Sequence, residues 1–228
     1  MENLAWYVYA VFVATVLLAA WLFFKASHYS KFILGLMVAW VSAQSLLAVS
    51  GFYSDINSMS NRFPLLVLPP LIFFISHFFT AKGRLFIDSL DIRMLTIFHI
   101  VRIPVEIVLF WLFVNKSVPE AVTFEGRNFD ISSGLSAPVI YYFAFVKKGI
   151  GKTVLIVWNI LCIGLLLSVV SNALLSLPAR FEHFGFEQPN IAVGYFPFML
   201  LPAFLVPMVL FSNLAAIRQL LGNGNVLG

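Results

Sequence analysis

A chain of 228 residues that is 61% hydrophobic and only 11% charged, with a mean hydropathy of +0.96, carries more apolar side chains than a soluble domain of its size can hide; soluble domains sit nearer about 45–50% apolar and about 25% charged. Lipid must therefore be the solvent for much of it. The formal charge of +4 does not indicate nucleic acid, because the basic residues fall in short clusters between apolar runs and form no stripe.

Seven apolar runs follow one another, at about 4–24, 32–50, 64–80, 95–114, 131–146, 153–177 and 191–217. The start, MENLAW, is acidic and the run after it is long enough for a full span, so no removable signal peptide is expected. Backbone groups in lipid must be satisfied within the segment, so the runs read as helices; the alternating strands of a barrel are absent from the pattern. The expected fold is all-α: a single seven-helix transmembrane domain over 1–228. All connections are short, and loop 81–94 mixes apolar and charged residues as a short interfacial helix would. Lys25, Lys31, Lys82, Arg84, Arg93, Lys147, Lys148, Lys152 and Arg218 fall on one side of such a bundle, against Arg62, Lys116, Arg127 and Arg180 on the other. The positive-inside rule then places the N-terminus outside and the C-terminus in the cytoplasm. Trp6, Tyr7, Trp21, Trp111 and Trp158 lie near span ends, where amphipathic rings favour the interface. The bacterial cytoplasmic membrane or a plasma membrane is the expected location.

The fourth run, LTIFHIVRIPVEIVLFWLF, holds His99, Arg102 and Glu106 with Pro104 between the last two. At about 100° per residue the three ionisable groups share a sector of about 60°, and Arg102 and Glu106 are four apart, the spacing of an ion pair. A charge at mid-membrane costs about 2.5–3.5 kcal/mol, and two leucines would remove the cost entirely, so the group implies function or bundle register. Pro104 leaves the Ile100 carbonyl without its helical donor, a way to build a mid-depth polar pocket. The expected ligand-binding residues are Glu106 for a cation, proton or polar ligand, Arg102 as its partner, His99 toward the cytoplasm, and Asn172 from the sixth run. Segment 123–130, TFEGRNFD, adds Arg127 and Asp130 if it folds inward to cap the cavity.

In the sixth run Gly164, Ser168, Asn172 and Ser176 recur at fours, as close helix packing requires. Pro197, Pro202 and Pro207 in the seventh and Pro69-Pro70 in the third imply kinks. His28, His77 and His99 fall toward one leaflet, but without paired spacing no metal is expected, nor a cofactor. Cys162 alone forms no internal disulfide. VKKGIGKT lacks the first glycine of a phosphate loop, no hydrolase or metalloprotease motif occurs, and no catalytic residue is assigned. The topology resembles that of rhodopsins, but 191–217 has no lysine to hold retinal. It also resembles that of SWEET-type sugar transporters, without a visible repeat between runs 1–3 and 5–7. A transporter-like protein leads; a sensor or scaffold acting through a membrane partner or second copy, and an intramembrane lipid-modifying enzyme using His99 and Glu106, are the alternatives.

Overall fold

The computed structural model describes residues 4–55, 59, 61–178, 181–184 and 186–222. It is all-helical, with no strand among the described residues. The helices are α1 (Trp6–Ala26), α2 (Lys31–Val49), α3 (Pro64–Phe79), α4 (Ala81–Ser89), α5 (Ile92–Ile97), α6 (Arg102–Val114), α7 (Ile131–Tyr141), α8 (Lys152–Leu175) and α9 (Val206–Gly222). A 3₁₀ stretch, Phe98–Val101, joins α5 to α6, and π turns Tyr142–Val146 and Leu201–Leu205 extend α7 and precede α9. Among the described residues, five helical segments are long and apolar enough to cross a membrane: 6–26, 31–49, 92–114, 152–175 and 201–222. The bent pair α3–α4 makes up to six if counted as one span, and 131–146 is a shorter apolar helix. The chain has the build of a multi-pass membrane protein.

One boundary differs by a long way from expectation. The seventh run starts its helix at Leu201 rather than 191, because residues 191–200 pack as a compact non-α segment with Ala192, Val193, Phe198 and Met199 buried. Pro202 and Pro207 then fall in the first positions of the π turn and of α9, where a missing N–H is least felt. Pro207 leaves the carbonyl of Ala203, four residues earlier, without a helical donor; Trp40 Nε1 on α2 supplies one at 2.8 Å. In the third run the chain turns through 97° between α3 and α4, as the mixed composition of loop 81–94 implied. Gly83 permits that corner: a Cβ there would meet the His77 backbone at 2.4 Å.

One end of the bundle is tied together by Asp91 N–H to the Ala26 carbonyl, Gln219 Nε2 to the carbonyls of Ile87 and Leu90, and an Arg218–Asp88 ion pair of 2.9 Å. Ile92, Phe145, Leu155 and Leu220 form a cluster of their own among the basic residues of that end. At the opposite end Tyr7 meets Trp111 edge-on with ring centres 5.0 Å apart, and the Ser117 carbonyl accepts from Ile191 and Ala192 N–H, both at 3.1 Å. Of the loop charges that suggested orientation, Glu2 and Arg180 lie outside the described residues. Trp158 departs from expectation: it is buried within the bundle, not at an interface, and its Nε1 donates to Ser136 Oγ at 2.9 Å.

Candidate functional site

Where α5 gives way to α6, the chain presents His99, Arg102 and Glu106 to the interior; each is 2% exposed or less. The shared sector read from the sequence is thus an inward face. Its internal wiring differs from the expected one. Arg102 does not pair with Glu106. Its Nη1 bonds the carboxylate of Asp130 and, at 3.2 Å, the carbonyl of Cys162 on α8. Glu106 Oε2 instead accepts from Asn128 Nδ2 at 2.6 Å. Two partners from the 115–130 segment therefore replace the i, i+4 pair. Asp130, brought in from outside the helix, meets Nη1 alone, so the contact is a single charge-assisted bond and not a fork.

Segment 115–130 folds inward. Ser117, Val118, Val122, Thr123, Asn128 and Asp130 are buried, while Glu125 and Arg127 are exposed. Asn128 organises its lower end. Its Nδ2 also reaches the Val122 carbonyl at 2.9 Å, and its Oδ1 accepts from Asp130 N–H at 2.8 Å, an Asx turn that aims Asp130 at Arg102. Gly126 lets the segment double back on itself, since a Cβ there would meet the Glu120 carbonyl oxygen at 2.3 Å.

The other expected residues fall elsewhere. Asn172 is half-buried and touches the Ala121 carbonyl at 3.5 Å; it has no bond to Glu106, because it sits a turn too far along α8 and meets the cap. Arg127 lines an outer cleft with Glu120 and Glu187, apart from Glu106. Pro104 stands in the first turn of α6, directly after the 3₁₀ stretch, so the chain restarts a helix there instead of leaving a mid-helix gap. His28 Nε2 is at 2.8 Å from the Ser89 carbonyl, tying the α1–α2 turn to the end of α4, and His77 Nδ1 is at 2.8 Å from the Phe73 carbonyl within its own helix. No group of three His, Cys, Asp or Glu side chains that could hold a metal occurs among the described residues.

Below Arg102 a polar seam continues between the 3₁₀ stretch, α7 and α8. Gly134 on α7 makes it narrow: a Cβ there would lie 3.1 Å from Ile103 N and 3.3 Å from the His99 carbonyl oxygen. His99 packs edge-on against Trp158 at 5.3 Å, and Asn159 and Ser133 are buried alongside. Both ring nitrogens of His99, Nε and Nη2 of Arg102 and Asn159 Oδ1, all buried along this seam, have no protein partner, while Ser133 Oγ meets the Cys162 thiol. On the other side of Arg102, a cavity of about 70 Å³ is bounded by Arg102, Glu106, Asp130, Asn190 and aliphatic side chains of α6, α8 and α9. Sequence reasoning missed Asn128, Asn159, Asn190 and Ser133. Asn128 carried a signal in its spacing, Asn-x-Asp directly before a helix; Asn159 is a single polar residue in an apolar run, Ser133 one of several serines that open α7, and Asn190 the last of a polar stretch with Glu187 and Gln188.

No family model matches the chain, and comparisons with curated proteins and with solved structures found no match either.

Proposed function

We propose that this is an integral membrane protein of seven spans, transporter-like, that passes a proton or small cation through the buried seam from Glu106 and Asp130 to His99. The observation that carries the reading is the concentration of unpartnered buried polar atoms on one seam, between a carboxyl-bearing cap and a histidine. Such atoms cost about 1–3 kcal/mol each if left dry, and ordered water is the usual partner of a buried polar atom that lacks a protein one. A line of water between titratable groups is what proton or ion movement needs. Glu106 and His99 lie seven residues apart, about 10 Å along a helix, with different neighbours. That separation disfavours the acid–base pair an enzyme would require and suits successive stations on a path.

The seventh span in this reading is 131–146, and the orientation puts segment 115–130 outside and the basic end in the cytoplasm. A fluorescent protein fused after Gly228 is expected to light up and a phosphatase fused there to stay inactive; the reverse pattern would refute the orientation. Transport itself is tested in sealed vesicles holding a pH-sensitive dye. Wild-type protein is expected to dissipate an imposed pH or cation gradient, and Glu106→Gln to slow this at least tenfold while Asn128 keeps an acceptor at that position. Equal rates with and without the substitution, or no flux above empty vesicles, sink the proposal.

A further inference from the structure

An apolar hollow of the bundle shares no lining residue with the cavity beside Arg102. It measures about 240 Å³, well above the roughly 150 Å³ of a cavity that holds benzene, and lies between α1, α2, α3, α4 and α9. Phe23, Met37, Trp40, Pro70, Phe73 and Phe204 are among its walls. The one polar group they bring, Trp40 Nε1, is already bonded to the Ala203 carbonyl, so the hollow offers nothing to a polar guest. It is not sealed. Rim residues Leu36 and Phe73 are 38% and 39% exposed, and α2 buries only Met37, Gln44 and Ala48, the smallest buried share of the five membrane-length segments. The outer surface of α2 and α3 is otherwise apolar, with Phe32, Val38, Leu65, Leu68 and Ile72 exposed, so what meets the opening is the hydrocarbon of the membrane.

We infer that this hollow is a binding site for one acyl chain of an anionic phospholipid, entering sideways between α2 and α3. The headgroup preference comes from α4, which leaves α3 at 97°. Phe86 on α4 closes one end of the hollow, and exposed Lys82 lies four residues earlier on the same face of that helix; Arg84 is exposed on the opposite side of α4, where it adds to the basic charge of this end without sharing that face. Basic residues at the membrane surface attract anionic headgroups, and a lipid whose tail reaches Phe86 sets its phosphate at that height. Trp40 and Pro69-Pro70 shape the hollow: the prolines present flat rings without long side chains, and the indole braces the π turn that forms the back wall.

The test uses full-length protein in nanodiscs containing a trace of phosphatidylglycerol or phosphatidylcholine with a photoactivatable diazirine in the acyl chain. After irradiation, phosphatidylglycerol label is expected to concentrate on peptides covering 33–40 and 69–74, at least about threefold above phosphatidylcholine. Leu36→Trp, which fills the rim, is expected to cut that labelling at least fivefold; Leu36→Phe serves if the tryptophan variant does not purify as a single species. Lys82→Glu with Arg84→Glu is expected to bring phosphatidylglycerol labelling down to the phosphatidylcholine level. Label spread evenly over other exposed apolar positions such as Ile160 and Leu161, labelling unchanged by both rim substitutions, or equal labelling by the two lipids in wild type would each overturn the inference.

Discussion

Arg102→Met is expected to lower the unfolding free energy by about 3–5 kcal/mol, the cost of stranding one partner of a buried ion pair. Arg102 is 2% exposed, and its Nη1 serves the Asp130 carboxylate and the Cys162 carbonyl together; the carbonyl keeps its place in the α8 ladder, so what the substitution strands is the buried carboxylate. The companion variant decides what the pair is for. Arg102→Met with Asp130→Leu removes both charges and fills the space with methylenes. Buried pairs replaced in this way commonly give proteins as stable as the original, or more so. The double variant is therefore expected to recover to within about 1 kcal/mol of wild type, read from unfolding by sodium dodecyl sulfate in mixed micelles, while its ion flux stays lost. Recovery of stability without recovery of flux separates a site from a clamp. A double variant as unstable as the single one would mean that the charges serve the register of the bundle.

How much of this was visible in the sequence depends on the distance over which each feature is decided. The long apolar runs were legible because membrane thickness sets their length locally, and α1, α2 and α8 begin and end within a few residues of the expected limits. The inward face of His99, Arg102 and Glu106 was legible because helical periodicity alone fixes it. The partners were not. An i, i+4 pair was the nearest arrangement on paper, but the 115–130 segment brings Asn128 and Asp130 to the same place from 22 and 28 residues away. No periodicity encodes that approach; the Asx turn and Gly126 are its only local traces. The start of the last helix was misplaced for a related reason. Residues 191–200 are apolar because they are buried under neighbouring segments, and hydropathy does not separate burial in protein from burial in lipid.

The lone cysteine turns the cap into something measurable. Cys162 is 2% exposed, its carbonyl on Arg102 and its side chain packed with Ala137 of α7, and it is the chain's only thiol, so a maleimide added to the intact protein reports how often α7 and the segment leading into it come away from α8. Asn128→Ala removes three bonds at once: those to Glu106 Oε2, to the Val122 carbonyl and from Asp130 N–H. Each group left buried without a partner costs about 1–3 kcal/mol, but the alanine leaves room for water to reach some of them, so about 2–3 kcal/mol is expected for the opening equilibrium as a whole. Since about 1.4 kcal/mol is a factor of ten, labelling of Cys162 should rise roughly 30- to 140-fold. Arg127→Ala, one residue away but exposed, should leave the rate as it is. The side from which the reagent enters carries the same information about the seam. If 115–130 is the outer cap, a membrane-impermeant maleimide applied outside labels Asn128→Ala quickly and wild type slowly. Equal rates for the two proteins would mean that Asn128 does not hold the segment down, and that Asp130 keeps its place at Arg102 without it.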